Sequence, residues 1–147
     1  MALPQELVAP INVDLRAEDL KLDIIKGIEF INYMDGKLDS GDVEEGDWVQ
    51  KTATGFAPPP SGSVKCFPVV TGNNRYDALA TGDVTVIVNG GWIYQTKKFT
   101  AGSYTVGQTL TIKGSSTLPQ AAGVGDVVCG RVFAINAATG VMQILVV

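Results

Sequence analysis

Apolar and polar positions alternate in short bursts along most of the chain, and turn-forming residues separate the bursts. Trp48–Thr52, Lys65–Val70, Val84–Val88 and Trp92–Lys97 each read as strands, and another strand lies within Tyr104–Ile112. Val127–Ile135 and Val141–Val147 form a closing hairpin around Asn136-Ala137-Ala138-Thr139-Gly140. Asp35-Gly36, between Phe30–Met34 and Lys37-Leu38, predicts a tight hairpin turn. Asn89-Gly90-Gly91 is expected to turn Val84–Val88 directly into Trp92–Lys97, and Thr71-Gly72-Asn73-Asn74 marks another turn. Ala57-Pro58-Pro59-Pro60-Ser61-Gly62-Ser63 reads as a stiff polyproline-like loop. About eight short strands at regular intervals, with no long helix after residue 35, indicate an all-β barrel or sandwich.

The leading residues are less regular. Residues 1–13, with Pro4 and Pro10, read as an extended arm preceding a single domain over 14–147. In residues 14–34 helical spacing (Ala17, Leu20, Ile24, Ile28, Ile31) competes with alternation at Leu20, Leu22 and Ile24. Gly27 weakens a helix interior, which favours a short helix or turn near 15–19 and a strand from about 28 to 34. Gly-Asp recurs at Gly41-Asp42, Gly46-Asp47, Gly82-Asp83 and Gly125-Asp126, at unequal intervals that suit strand-entry turns better than a repeat architecture.

Charge divides the chain. Twelve acidic and four basic residues put positions 1–50 at −8, while three acidic and seven basic residues put 51–147 at +4. The acidic leading segment, 14–47, reads either as a solvated face or as a surface complementary to a basic region on a neighbouring subunit. Net charge is −4 over 147 residues, which disfavours sequence-independent binding to nucleic acid. Hydrophobic residues make up 46% and charged residues 18%, a composition that buries a core. The opening residues lack the basic-then-apolar order of a secretory signal. No apolar run approaches the ~20 residues that span a bilayer, so a soluble protein made in the cytosol is expected.

Candidate chemistry is sparse. The chain has no histidine, so the usual general base and commonest transition-metal ligand are missing. Two cysteines make neither a zinc site nor a disulfide framework, and Cys66 and Cys129 are expected as buried, reduced thiols. Gly123-Val124-Gly125 opens like a dinucleotide fingerprint but continues to Val128 with no helix after it. Asp35, Asp39, Asp42, Glu44 and Glu45 do not keep the alternation of a calcium loop. Neither an enzyme nor a cofactor nor a metal site is expected. Trp92 and Tyr94 share one face of a strand, which suits either a sugar-stacking platform or burial in core or interface.

One resemblance spans residues 46–147. It is carried by Gly46-Asp47-Trp48-Val49-Gln50, Cys66-Phe67-Pro68-Val69-Val70, Arg75-Tyr76-Asp77, Gly82-Asp83-Val84-Thr85-Val86-Ile87 and Thr96-Lys97-Lys98-Phe99. It continues through Tyr104-Thr105-Val106-Gly107-Gln108-Thr109-Leu110-Thr111-Ile112 and Gly125-Asp126-Val127-Val128-Cys129-Gly130-Arg131-Val132. In order and pattern these segments resemble the capsid decoration, or cement, proteins of tailed bacteriophages. The resemblance implies a small β-barrel or β-tulip-like domain on the outer surface of the icosahedral head, synthesised in the host cytoplasm. It further implies a homo-oligomer, dimer or trimer, whose partner is the major capsid protein, with neither membrane nor nucleic acid involved. On that reading Leu3, Leu7, Val8, Ile11 and Val13 of the arm are the expected capsid contacts. The rival expectation is a virion-borne carbohydrate-binding module using Trp92 and Tyr94 with Tyr76 and Tyr104, or another tail or baseplate β-domain.

Overall fold

The computed structural model describes residues 20–26, 31–72 and 83–147, and these are all-β. In chain order the strands are β1 (Asp23–Lys26), β2 (Tyr33–Lys37), β3 (Trp48–Lys51), β4 (Phe56–Ala57), β5 (Cys66–Thr71) and β6 (Asp83–Ile87). They continue with β7 (Trp92–Thr96), β8 (Thr109–Thr111), β9 (Gln120–Ala121), β10 (Gly130–Asn136) and β11 (Val141–Val146). Two antiparallel sheets result: β1-β7-β11-β10-β8-β9 and β2-β6-β5-β3-β4.

Side-chain alternation explains the layering. In β11, Met142, Ile144 and Val146 are buried while Val141, Gln143 and Leu145 are partly covered, the period of two that a strand imposes. In the five-stranded sheet, β3, β5 and β6 carry buried residues on both faces, whereas β2 is largely exposed. Val49, Phe56, Val69, Val84 and Val86 join Val43 in a core inside its curl. Trp48, Cys66 and Ile87 from the same strands enter a larger core with Trp92, Tyr94, Leu110, Ile112, Val132, Met142 and Ile144. One sheet therefore contributes to both cores, which ties the second sheet to it.

Among the described residues the strand count is eleven rather than about eight: β1, β4 and β9 are additions, and the last two have only two residues each. The sheets also do not close into the expected barrel. The five-stranded sheet curls until Leu38, just after β2, meets Phe56 of β4 in a single parallel bridge. The Asp39 N–H donates to the Phe56 carbonyl at 2.7 Å. Pro58-Pro59-Pro60 follows at once, and proline has no N–H to extend the ladder, so the seam stops there.

Two turn expectations are corrected. Asp35-Gly36 is not a hairpin turn; it lies inside β2, with Asp35 opposite Thr85 and Gly36 opposite Val84. Glycine is required there by space, because a Cβ on Gly36 would come within 2.6 Å of the Phe56 ring. Asn89-Gly90-Gly91 does not join two neighbours of one sheet. It carries the chain across, since β6 pairs with β2 and β5, whereas β7 pairs with β1 and β11. The helix or turn near 15–19, the arm over 1–13 and residues 28–30 of the strand expected over 28–34 lie outside the described residues; of the rest of that strand, 31 and 32 are not in a strand and β2 begins at Tyr33.

Candidate interaction surface

Three turns share one construction: Glu44–Asp47, Thr105–Gln108 and Gly123–Asp126. In each, the fourth N–H donates to the first carbonyl, at 3.0, 3.1 and 3.2 Å. The third residue is a glycine with φ of +89° (Gly46), +88° (Gly107) or +83° (Gly125), the left-handed conformation a type II turn demands. The fourth side chain then accepts the first N–H: Asp47 from Glu44 at 2.9 Å, Gln108 from Thr105 at 3.1 Å and Asp126 from Gly123 at 2.8 Å. The arrangement holds the second residue at the tip. Val106 is 67% exposed there and Val124 stands wholly in solvent. The Gly-Asp pattern points to two of the three turns; the third escapes it because Gln108 does the work of aspartate.

The first turn is also the centre of an ion cluster. Lys98 Nζ lies 2.8 Å from Glu44 Oε1 and 2.8 Å from Asp47 Oδ1, and donates to the Glu45 carbonyl at 3.2 Å. Lys21 Nζ reaches Glu44 Oε2 at 3.1 Å, and the Thr117 hydroxyl donates to Asp47 Oδ1 at 3.0 Å. Glu44, Asp47, Lys98 and Thr117, with Asp42, Val43 and Leu118, line an open cleft of about 430 Å³. An ammonium has three donors, and all three of Lys98 are engaged, so the lysine is a clasp between segments rather than a free cation. Two acids of the leading segment are thus met by a base of the same chain. For Glu44 and Asp47 the complementarity expected between subunits is satisfied within one.

The cluster makes stability depend on acid. Lys98, then Lys21, hold the Glu44 carboxyl below its ordinary value of 4.5. A carboxylate whose folded pKa is depressed stabilises the fold above its unfolded pKa and loses that contribution as pH falls through the folded value. Asp39, through the Thr52 and Thr54 hydroxyls, and Asp126, through Lys113, are held below 3.8 in the same way. Unfolding midpoints are therefore expected to be flat above about pH 5 and to decline below it. In Glu44→Gln the onset of the decline moves toward lower pH. A wild-type onset in that variant, measured by urea unfolding across pH, would remove Glu44 from the cluster.

Further apolar exposure lies at strand edges. Tyr33 is 56% and Met34 41% exposed on β2, and Phe133 is 50% exposed on β10, with Ile135 and Ile25 also in solvent. Phe133 sits in the bulge between Val132 and Ala134, where β10 has run past the end of β8. The Gly107 N–H donates to the Val132 carbonyl at 2.7 Å, so the Val106 tip lies beside this stretch of β10.

The residues singled out by sequence separate into two groups. Leu3, Leu7, Val8, Ile11 and Val13 lie outside the described residues. Trp92 and Tyr94 do share a face, but both have 0% exposure, with ring centroids 5.4 Å apart and planes tilted by 34°. The Trp92 indole N–H donates to the Asn89 carbonyl at 2.8 Å, and the Tyr94 hydroxyl accepts from the Trp48 indole at 3.0 Å. No ring face is left for a sugar, which corrects the stacking-platform alternative; size and apolar character took these rings into the larger core. Cys66 and Cys129 are buried free thiols, and burial pushes the Cys66 thiol up to about 12. Within the acidic loop, Asp39 accepts from the hydroxyls of Thr52 and Thr54, and Asp35 from that of Thr85. These carboxylates are local turn and cross-strand acceptors. Comparison with known protein families and with curated proteins finds no match.

Proposed function

We propose that this chain is a structural virion protein that binds the outer surface of the expanded head of a tailed phage and braces contacts between major capsid protein subunits. The observation that carries the reading is the resemblance over residues 46–147. Its segments coincide with the frame of the fold: Gly46–Gln50 is the clasped turn and β3, Cys66–Val70 is β5 and Asp83–Ile87 is β6. Tyr104–Ile112 spans the Val106 turn and β8, and Gly125–Val132 leads from the Val124 turn into β10. Val106, Val124 and Phe133, apolar and exposed, supply area that a large partner would cover.

Such a role needs binding and no reaction. Binding energy available only on the expanded lattice stabilises that lattice by linkage, and repeated contacts on one shell add avidity. Symmetric association as a dimer or trimer would place several contacts on the shell at once. The arm residues Leu3, Leu7, Val8, Ile11 and Val13 are the assigned capsid contacts, because apolar residues in a segment carrying Pro4 and Pro10 suit an extended stretch laid on a neighbour.

Cosedimentation with expanded and unexpanded heads tests the reading. The full chain is expected to pellet with expanded heads and to stay in solution with unexpanded ones. A chain lacking residues 2–13 is expected to stay folded by circular dichroism and to lose head binding. Binding to neither head form would overturn the proposal, and binding to tails alone would move the protein to another part of the virion.

A further inference from the structure

Among the described residues β2 is an open edge of the five-stranded sheet, and its backbone determines what fits there. The Val88 N–H donates to the Asn32 carbonyl at 3.0 Å, and the ladder from Tyr33↔Ile87 to Lys37↔Asp83 runs without a bulge. Antiparallel alternation then aims the N–H and C=O of Met34 and Gly36 at β6, and those of Tyr33, Asp35 and Lys37 away from it. From Lys37 onward that side is covered: a Cβ on Gly55 would lie 2.1 Å from the Lys37 oxygen, and Asp39 bonds to Phe56. Tyr33 and Asp35 have no strand on that side among the described residues. Four of the five β2 side chains are exposed, Tyr33 and Met34 among them, and neither proline nor bulge interrupts the strand. Unpaired edges of this kind accept another strand unless something blunts them.

We infer that β2 is a self-association edge, paired antiparallel with β2 of a second copy of this chain across a two-fold axis at Met34. Four symmetric registers would bring outward-facing groups together, and three of them fail. With Tyr33 on the axis, Asp35 must pair with Ile31 of the second copy, which lies outside β2. With Asp35 on the axis, two carboxylates stand directly opposite each other. With Gly36 on the axis, the ladder needs the Lys37 carbonyl, which Gly55 covers. With Met34 on the axis, Tyr33 pairs with Asp35 of the second copy, and Asp35 with its Tyr33. Every free N–H and C=O of the edge is then bonded, and the two Met34 side chains meet in a close, non-hydrogen-bonded pair. Lys37 of the second copy falls diagonal to Tyr33, within reach of its ring face. β2 carries one acid and one base, so no net charge accumulates along the seam. The pairing is short of the roughly 800 Å² per partner typical of stable interfaces, so it belongs to the weak, concentration-dependent class. It stands independently of head binding.

Sedimentation velocity on the purified full chain tests it. The wild type is expected to move from monomer at about 10 μM to dimer at about 1 mM. Met34→Glu and Met34→Lys each place like charges at the axis and are expected to weaken self-association at least about tenfold. Mixed in equal amounts, they are expected to form a heterodimer, which misfolded variants would not do. Asp35→Pro removes an N–H that faces away from β6 and is expected to be monomeric, while Asp35→Ala keeps that N–H and the dimer. A wild type that stays monomeric at about 1 mM overturns the inference, as does a trimer, or a Met34→Glu variant that associates like the wild type.

Discussion

Truncating Trp48 to alanine is expected to lower the unfolding free energy by about 3–5 kcal/mol, the range for large aromatic deletions in a packed core. Trp48 opens β3 with 1% of its surface exposed, and its ring lies 6.4 Å from that of Tyr94. Removing it empties the space where strands of both sheets meet, among Cys66, Ile87, Leu110 and Ile112. Tyr94→Phe separates packing from hydrogen bonding. Burial pushes the Tyr94 hydroxyl far above its ordinary range, so it stays neutral and accepts from the Trp48 indole. Without it a buried N–H loses its partner, which costs about 1–3 kcal/mol. Because both substitutions delete the same bond, the double variant should be more stable than the sum of single losses predicts. Urea unfolding with an unchanged m-value is the measurement. A Trp48→Ala loss below about 1 kcal/mol would contradict the placement of this ring in the core.

These rings show what is legible in a sequence and what is not. Runs rich in β-branched and aromatic residues between turn signals placed β3, β5, β6, β7, β10 and β11, and in β11 the burial repeats every second residue. β4 and β9 have two residues each, too few to show a period. Sheet membership was hidden at Asn89-Gly90-Gly91, since a turn signal tells that the chain reverses but not which neighbour it joins. At Asp35-Gly36 the local signal for a hairpin lost to a long-range demand, the Phe56 ring 20 residues later. For Trp92 and Tyr94 burial is the commoner fate of such a pair, but the sequence left the platform open, because exposure depends on what covers a face.

Charge teaches a related lesson. The contrast between an acidic leading segment and a basic remainder was visible by counting, but its use was not. Glu44, Asp47 and Lys98 close it within one chain, whereas the Lys113–Asp126 pair at 2.6 Å lies wholly within the basic remainder. Partners separated by 54 and 51 residues leave no spacing rule to read. What the sequence does show is the turn itself. At Gly46-Asp47 and Gly125-Asp126 the pair marks a carboxylate held close to a backbone donor, and each of these carboxylates has collected a lysine.

That reasoning ranks the three equivalent turns. Asp47→Ala is expected to be the most damaging, costing about 3 kcal/mol, because Asp47 accepts from the Glu44 N–H, the Thr117 hydroxyl and the Lys98 ammonium. Its side chain is 12% exposed and that of Lys98 17%, so neither charge can recover its hydration in place. Gln108→Ala removes only the acceptor for the Thr105 N–H and is expected to cost about 1 kcal/mol or less. Asp126→Ala removes the Gly123 and Lys113 contacts at a turn whose tip, Val124, is wholly in solvent, and its effect falls below that of Asp47. Asp47→Asn, which keeps an oxygen for the Glu44 N–H but loses the charge facing Lys98, should lie between Asp47→Ala and wild type. Unfolding free energies of the four variants at pH 7 give the test. If Asp47→Ala costs no more than Gln108→Ala, the lysine clasp adds nothing to the turn, and the cleft it lines is held by the backbone alone.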